Sequence, residues 1–146
     1  MSVVSLGSLI FNLPVERRKS VRELEKISTK IVKAKCSLLF NSTCLKENIL
    51  PNYSNIKLHN RAARKEPFTL KYRRRLVERE VENAKATINT LEKDHDEKTA
   101  SLRSTIDDQL LTPILEKINE NVANIEIETK LKQIRKLNSL YKRPLI

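Results

Sequence analysis

From Val21 onward the apolar positions are Val21, Leu24, Ile27, Ile31, Ala34, Leu38 and Leu45. Steps of three, three, four, three, four and seven keep them on one side of an α-helix. Pro14 suits the first turn of that helix, where a missing N–H is harmless, and Asn12 just before it is a candidate cap. Arg17, Arg18, Lys19, Arg22, Lys26, Lys30 and Lys33 occupy the other faces. Pro51 disfavours helix at Leu50, so the helix is expected to stop near Asn48. Pro51, Asn52, Ser54, Asn55, Asn60 and Pro67 then mark a connection. Within it Ile56-Lys57-Leu58 is too short for a strand and suits an extended segment with an apolar plug. Thr69 is a candidate cap for a second helix, whose stripe is Val77, Val81, Ala84, Ile88, Leu91, His95, Lys98 and Leu102. Alternating steps of four and three make this a heptad seam, weakened by Ala84, His95 and Lys98. The step on to Ile106 and Leu110 resembles a stutter. Thr112 and Pro113 are a cap and a first helical residue. Pro113 either kinks one helix or separates two, and the pairing with Thr112 favours a break. Ile114, Ile118, Val122, Ile125, Leu131, Ile134 and Leu137 carry apolar spacing toward Tyr141.

The pattern predicts five segments: a frayed N-terminus over 1–13, an amphipathic helix over 14–50, a hinge over 51–68, a basic then acidic heptad helix over 69–111, and a C-terminal helix with a basic end over 112–146. Composition supports an all-α fold. There is one Gly, no Trp and 4% aromatic residues, whereas hairpins generally need Gly. The expected architecture is an elongated helical hairpin, coiled-coil-like, with two or three long helices.

The net charge of +11 is unevenly placed. Residues 57–75 carry eight basic side chains and one acidic, 76–128 carry six basic and thirteen acidic, and 129–146 carry six basic and none acidic. Such blocks suit docking of acidic on basic helices within or between chains, and self-association through 77–141 is one expectation. The other is nucleic-acid contact. Lys57, Arg61, Arg64, Lys65, Lys71, Arg73, Arg74 and Arg75 form the densest cluster, and phosphates need several cations in a small area. Tyr53, Phe68 and Tyr72 lie near enough in sequence to stack on unpaired bases. Cations at a helix start oppose the helix dipole, so helix stability does not explain Arg73, Arg74 and Arg75. As partners for the acidic residues 78–97 they would have a purely structural use.

Chemistry of other kinds finds no residues. One Gly makes no phosphate loop, and neither a CxxC nor an HExxH motif occurs. Cys36 and Cys44 lie eight residues apart, about 12 Å along one helix, too far for a disulfide. They read as buried, reduced thiols of an intracellular protein, with the nucleus a candidate compartment. Neither His59 nor His95 completes a zinc spacing with them. Asp94, Asp96 and Glu97 beside His95 read as a solvated acidic face, and so do Asp107 and Asp108. The apolar stretch MSVVSLGSLIFNLP lacks the basic start and the cleavage site of a signal peptide, and is shorter than the roughly 20 residues of a bilayer span. No enzyme activity, cofactor, metal, membrane or small-molecule substrate is expected.

The pattern Phe40-x3-Cys44-x4-Ile49-Leu50-Pro51-x-Tyr53-x2-Ile56-Lys57 resembles a stretch upstream of the reverse transcriptase in Penelope-like retroelement proteins. There a helix ending in an aromatic residue and a cysteine runs into an aliphatic-Pro-x-aromatic turn, followed by a basic helix. Lys71 to Leu76 correspond to that helix, and the resemblance covers roughly residues 36–85. It implies a non-catalytic accessory module that touches template RNA or DNA near a polymerase. The polymerase and nuclease of that family have no counterpart in this sequence, so a helical interaction protein or a retroelement fragment without a working role are the alternatives.

Overall fold

The computed structural model describes residues 4–49 and 70–142. The expected hinge over 51–68, including Pro51, Tyr53 and Ile56, lies outside the described residues. The chain is all-α: helices α1 (Leu6–Ile10), α2 (Val15–Lys46), α3 (Leu70–Thr105) and α4 (Asp108–Lys142), with no strand among the described residues.

α2 is the shared element. Its 32 residues give a rod about 48 Å long. α3 runs antiparallel to it: Lys98 donates to Glu23 at 2.8 Å and Lys35 pairs with Glu92 at 3.2 Å. α4 returns alongside α2 in the parallel sense, with Asn121 donating to Glu25 at 3.1 Å near one end and Lys136 above Phe40 near the other. α3 and α4 contact each other much less than each contacts α2. Val21, Leu24, Ile27 and Ile31 are buried as the stripe requires, while Ala34, Leu38 and Leu45 are half-buried. The seam of α3 meets α2 through buried Val77, Val81, Ala84, Ile88 and Leu102. Where the seam carries Lys98, the ammonium reaches past the apolar contact to Glu23. That bond lowers the Glu23 pKa and raises that of Lys98. The pair is therefore intact between the acidic range where an unfolded Glu protonates and the alkaline range where an unfolded Lys deprotonates. Both side chains are partly exposed, which keeps its effect on stability small.

Two apolar clusters pin the ends. One joins Leu6 and Ile10 of α1 to Val21 and Leu24 of α2, Leu102 and Ile106, and Leu111, Ile114, Ile118 and Val122 of α4. The other joins Phe40 and Cys44 of α2 to Val77 of α3, with Leu45, Leu137 and Leu140 packed against it.

Three boundaries differ from the sequence expectation. The N-terminus is not frayed over residues 4–13: the Ser5 hydroxyl accepts from the Ser8 N–H at 3.1 Å and caps α1, and burial of Leu6 and Ile10 holds it to the bundle. The break falls at Ile106–Asp107, not at Pro113. Ser104 and Thr105 hydroxyls donate to the Ser101 carbonyl at 2.7 and 3.0 Å, competing for the last turn of α3. Asp107 then caps α4 by accepting from the Gln109 N–H at 3.2 Å. Pro113 lies inside α4, where it forfeits only the bond to the carbonyl of Gln109, and both residues are exposed to water. Thr112 is thus a helical residue and not a cap. Finally, Asn12 gives way to Pro14, which flanks α2 and accepts from the Arg18 N–H at 3.0 Å.

α2 ends where expected, by a specific device. Asn48 adopts φ 54°, the Ile49 N–H donates to the Cys44 carbonyl at 2.9 Å, and the Asn48 N–H donates to the Leu45 carbonyl at 3.3 Å. This is the Schellman arrangement, with Asn in the left-handed position. N48G is expected to hold or raise stability. N48V is expected to lower it by about 1 kcal/mol, because a β-branched residue resists that conformation. Urea titration of the two variants distinguishes them.

Cys36 and Cys44 are free and buried. Burial pushes both thiols above their ordinary pKa; at Cys36 the Glu126 carboxylate adds to the effect and Lys130 opposes it, while at Cys44 Lys136 opposes it. A raised folded pKa leaves the thiols neutral, so the associated stability is complete below the unfolded value of about 8.5 and is lost as pH rises through the folded one. Both thiols should react slowly with iodoacetamide at neutral pH in the folded protein and rapidly in denaturant. Fast labelling of native Cys44 would contradict its burial.

Candidate nucleic-acid interface

Lys71, Arg73, Arg74 and Arg75 fall on the first turns of α3, which has no acidic residue in its first turn. Lys57, Arg61, Arg64 and Lys65 lie outside the described residues. Arg74 is held by Glu78 at 3.3 Å, a pair one turn apart that ties this arginine to the acidic stretch. Arg73 is half-buried, whereas Lys71 and Arg75 are exposed and make no ion pair among the described residues. Tyr72 is half-buried. Of the resemblance motif, Phe40 and Cys44 are buried in the cluster under this helix start, while Leu50, Pro51, Tyr53 and Ile56 lie outside the described residues.

The fold adds cations that sequence reasoning left apart. Val77 shares its cluster with Leu137 and Leu140, so the basic start of α3 and the basic end of α4 close the same end of the bundle. Lys136 Nζ lies 5.1 Å from the centroid of the Phe40 ring, a cation–π contact, and exposed Lys132 precedes it by one helical turn. Residues 71–75 and 132–136 are about sixty apart in sequence. The signal available was the acid-free run 129–146; its destination depended on α4 running parallel to α2, which periodicity does not specify.

A second basic surface lies at the opposite end. A groove of about 570 Å³ between α1 and α2 is lined by Gly7, Ile10, Val15, Arg18, Lys19, Arg22, Glu23 and Lys26. Its charge is partly committed: Arg22 pairs with Glu25 at 3.3 Å, and Glu23 with Lys98. His95 lies 3.5 Å from Asp96, and no group of three or more His, Cys, Asp or Glu among the described residues is placed to hold a metal. No helix among them is long and apolar enough to cross a membrane.

The chain matches no protein-family model, no curated protein and no solved structure.

Proposed function

We propose that the chain is a non-catalytic nucleic-acid-contacting module, an accessory of the kind that precedes the reverse transcriptase in Penelope-like retroelement proteins. The observation that carries this reading is that the basic start of α3, with Lys71 and Arg75, and the basic last turns of α4, with Lys132 and Lys136, lie toward the same end of the bundle, the end closed by the Phe40, Cys44 and Val77 cluster. These four cations from two helices, none used in an ion pair among the described residues, are available to contact a phosphate backbone that runs along this end of the bundle. The long helices are its scaffold, since a rigid rod fixes the spacing of charges that loops would leave variable. The rest of the basic cluster, Lys57, Arg61, Arg64 and Lys65, precedes α3 in sequence and would extend the contact. An intracellular setting, the nucleus included, would suit a template partner and the free thiols of Cys36 and Cys44.

The test is direct titration of the protein onto labelled single-stranded RNA, single-stranded DNA and duplex DNA across a salt series. A steep linear fall of log K with log salt supports the reading, and similar affinity across sequences is expected because phosphates carry no base identity. Absence of binding at low salt, or binding indifferent to salt, overturns it.

A further inference from the structure

We propose that the outward face of α4 around Leu131 is an antiparallel docking surface for a second copy of the chain. Ile127, Leu131 and Ile134 are 58%, 48% and 52% exposed, although they recur at the steps of four and three that define a buried seam. They lie on the side of α4 away from Ile118 and Val122, which α4 turns to its own core. The helix therefore carries two apolar faces, and the described residues cover one.

The flanking charges select the occupant. Glu128 and Arg135 stand seven residues apart on the same flank of the exposed stripe, and neither has an ion-pair partner among the described residues. Antiparallel pairing about a two-fold axis brings like flanks together. With the axis midway between Leu131 and Ile134, Leu131 of each copy packs on Ile134 of the other, and Glu128 of each copy meets Arg135 of the other. The opposite flank brings Lys130, already held by Glu126 at 2.8 Å, beside the half-buried Leu137. Sliding the pair by one layer, so that Ile127 packs on Leu131, sets Glu128 against Glu128. A parallel pair sets Lys130 against Arg135. Opposite charges meet in only one of these three registers, and there they do so twice. The apolar patch is small, with Ile127 facing Asn138 at its edge, so the association belongs to the weak, transient class of interfaces.

Sedimentation equilibrium of the full chain, freed of nucleic acid, tests this from about 1 to about 300 μM, since small interfaces bind in or above the micromolar range. The parent is expected to move from monomer to dimer across that range. L131E is expected to stay monomeric with unchanged helicity, because Leu131 does not touch its own core. E128R and R135E each weaken self-association by about tenfold, having turned two attractive contacts into repulsive ones. An equimolar mixture of E128R and R135E forms a heterodimer, and the double variant E128R/R135E pairs with itself again. A parent that stays monomeric throughout, an L131E protein that dimerises like the parent, or single charge reversals with no effect and no cross-pairing would each overturn the proposal.

Discussion

Replacing Leu111 by Ala is expected to lower the unfolding free energy by about 2–5 kcal/mol, while the same change at Leu110 alters it by less than about 0.5 kcal/mol. The two residues are adjacent and chemically identical. Leu111 is 1% exposed and packs with Leu102, Ile106 and Ile114, whereas Leu110 is 55% exposed. Truncating Leu111 leaves a cavity where α1, α2 and the turn into α4 converge, and tightly packed surroundings collapse only in part. Truncating Leu110 removes atoms that already face water. The comparison also tests where α4 begins. A helix starting at Asp108, capped by Asp107, turns Leu111 inward; a continuous stripe through Ile106 and Leu110 makes Leu110 the buried one. Urea denaturation with constant m and a shifted midpoint reads the difference. Equal losses at the two sites, or a larger loss at Leu110, would overturn this register.

Much of the bundle was legible because long amphipathic helices write their packing into the sequence. The α2 stripe and the α3 seam each repeat over many turns, and the residues that carry them are largely the buried ones. α1 was not legible: five residues are too few for a period, and its only mark is a serine before Leu6. The break was misplaced because Pro113 is a louder signal than Asp107. Yet a proline in the second turn of a helix removes a single exposed bond, while an N-cap aspartate satisfies a donor that the new helix would otherwise leave unpaired. The second face of α4 is hard to read from spacing for a geometric reason. The step from Ile125 to Leu131 is six residues, about one and two-thirds turns, so the stripe leaves the core side there. Ile127, passed over in the expected stripe, is the residue that opens the second face. The candidate interface was half legible: the α3 cluster could be read from charge density, but its α4 counterpart depended on tertiary packing.

Neutralising Lys71, Arg75, Lys132 and Lys136 together is expected to flatten the salt dependence of nucleic-acid binding by up to about 3.6 in log–log slope on duplex DNA, or about 2.8 on a single strand, at roughly 0.9 and 0.7 per lost phosphate contact. Between about 50 and 200 mM salt, the parent then loses roughly a hundredfold more duplex affinity than the variant. K71A/R75A and K132A/K136A should each take about half of the effect, because each helix supplies two of the four cations. R74A serves as the internal contrast. Arg74 is already engaged by Glu78 at 3.3 Å, so removing it should change the slope less than removing Arg75. Stability moves independently of the slope. K71A/R75A should hold or slightly raise it, since cations at the start of α3 sit at the unfavourable end of the helix dipole. K132A/K136A should lower it by about 0.5–1 kcal/mol through the lost contact with the Phe40 ring. A purely structural role for these residues predicts the reverse: unchanged slopes, with melting temperature falling in both pairs. If the four-fold variant binds RNA and DNA with the parent's slope, the cations are not a phosphate surface and the reading of the bundle end as an interface fails.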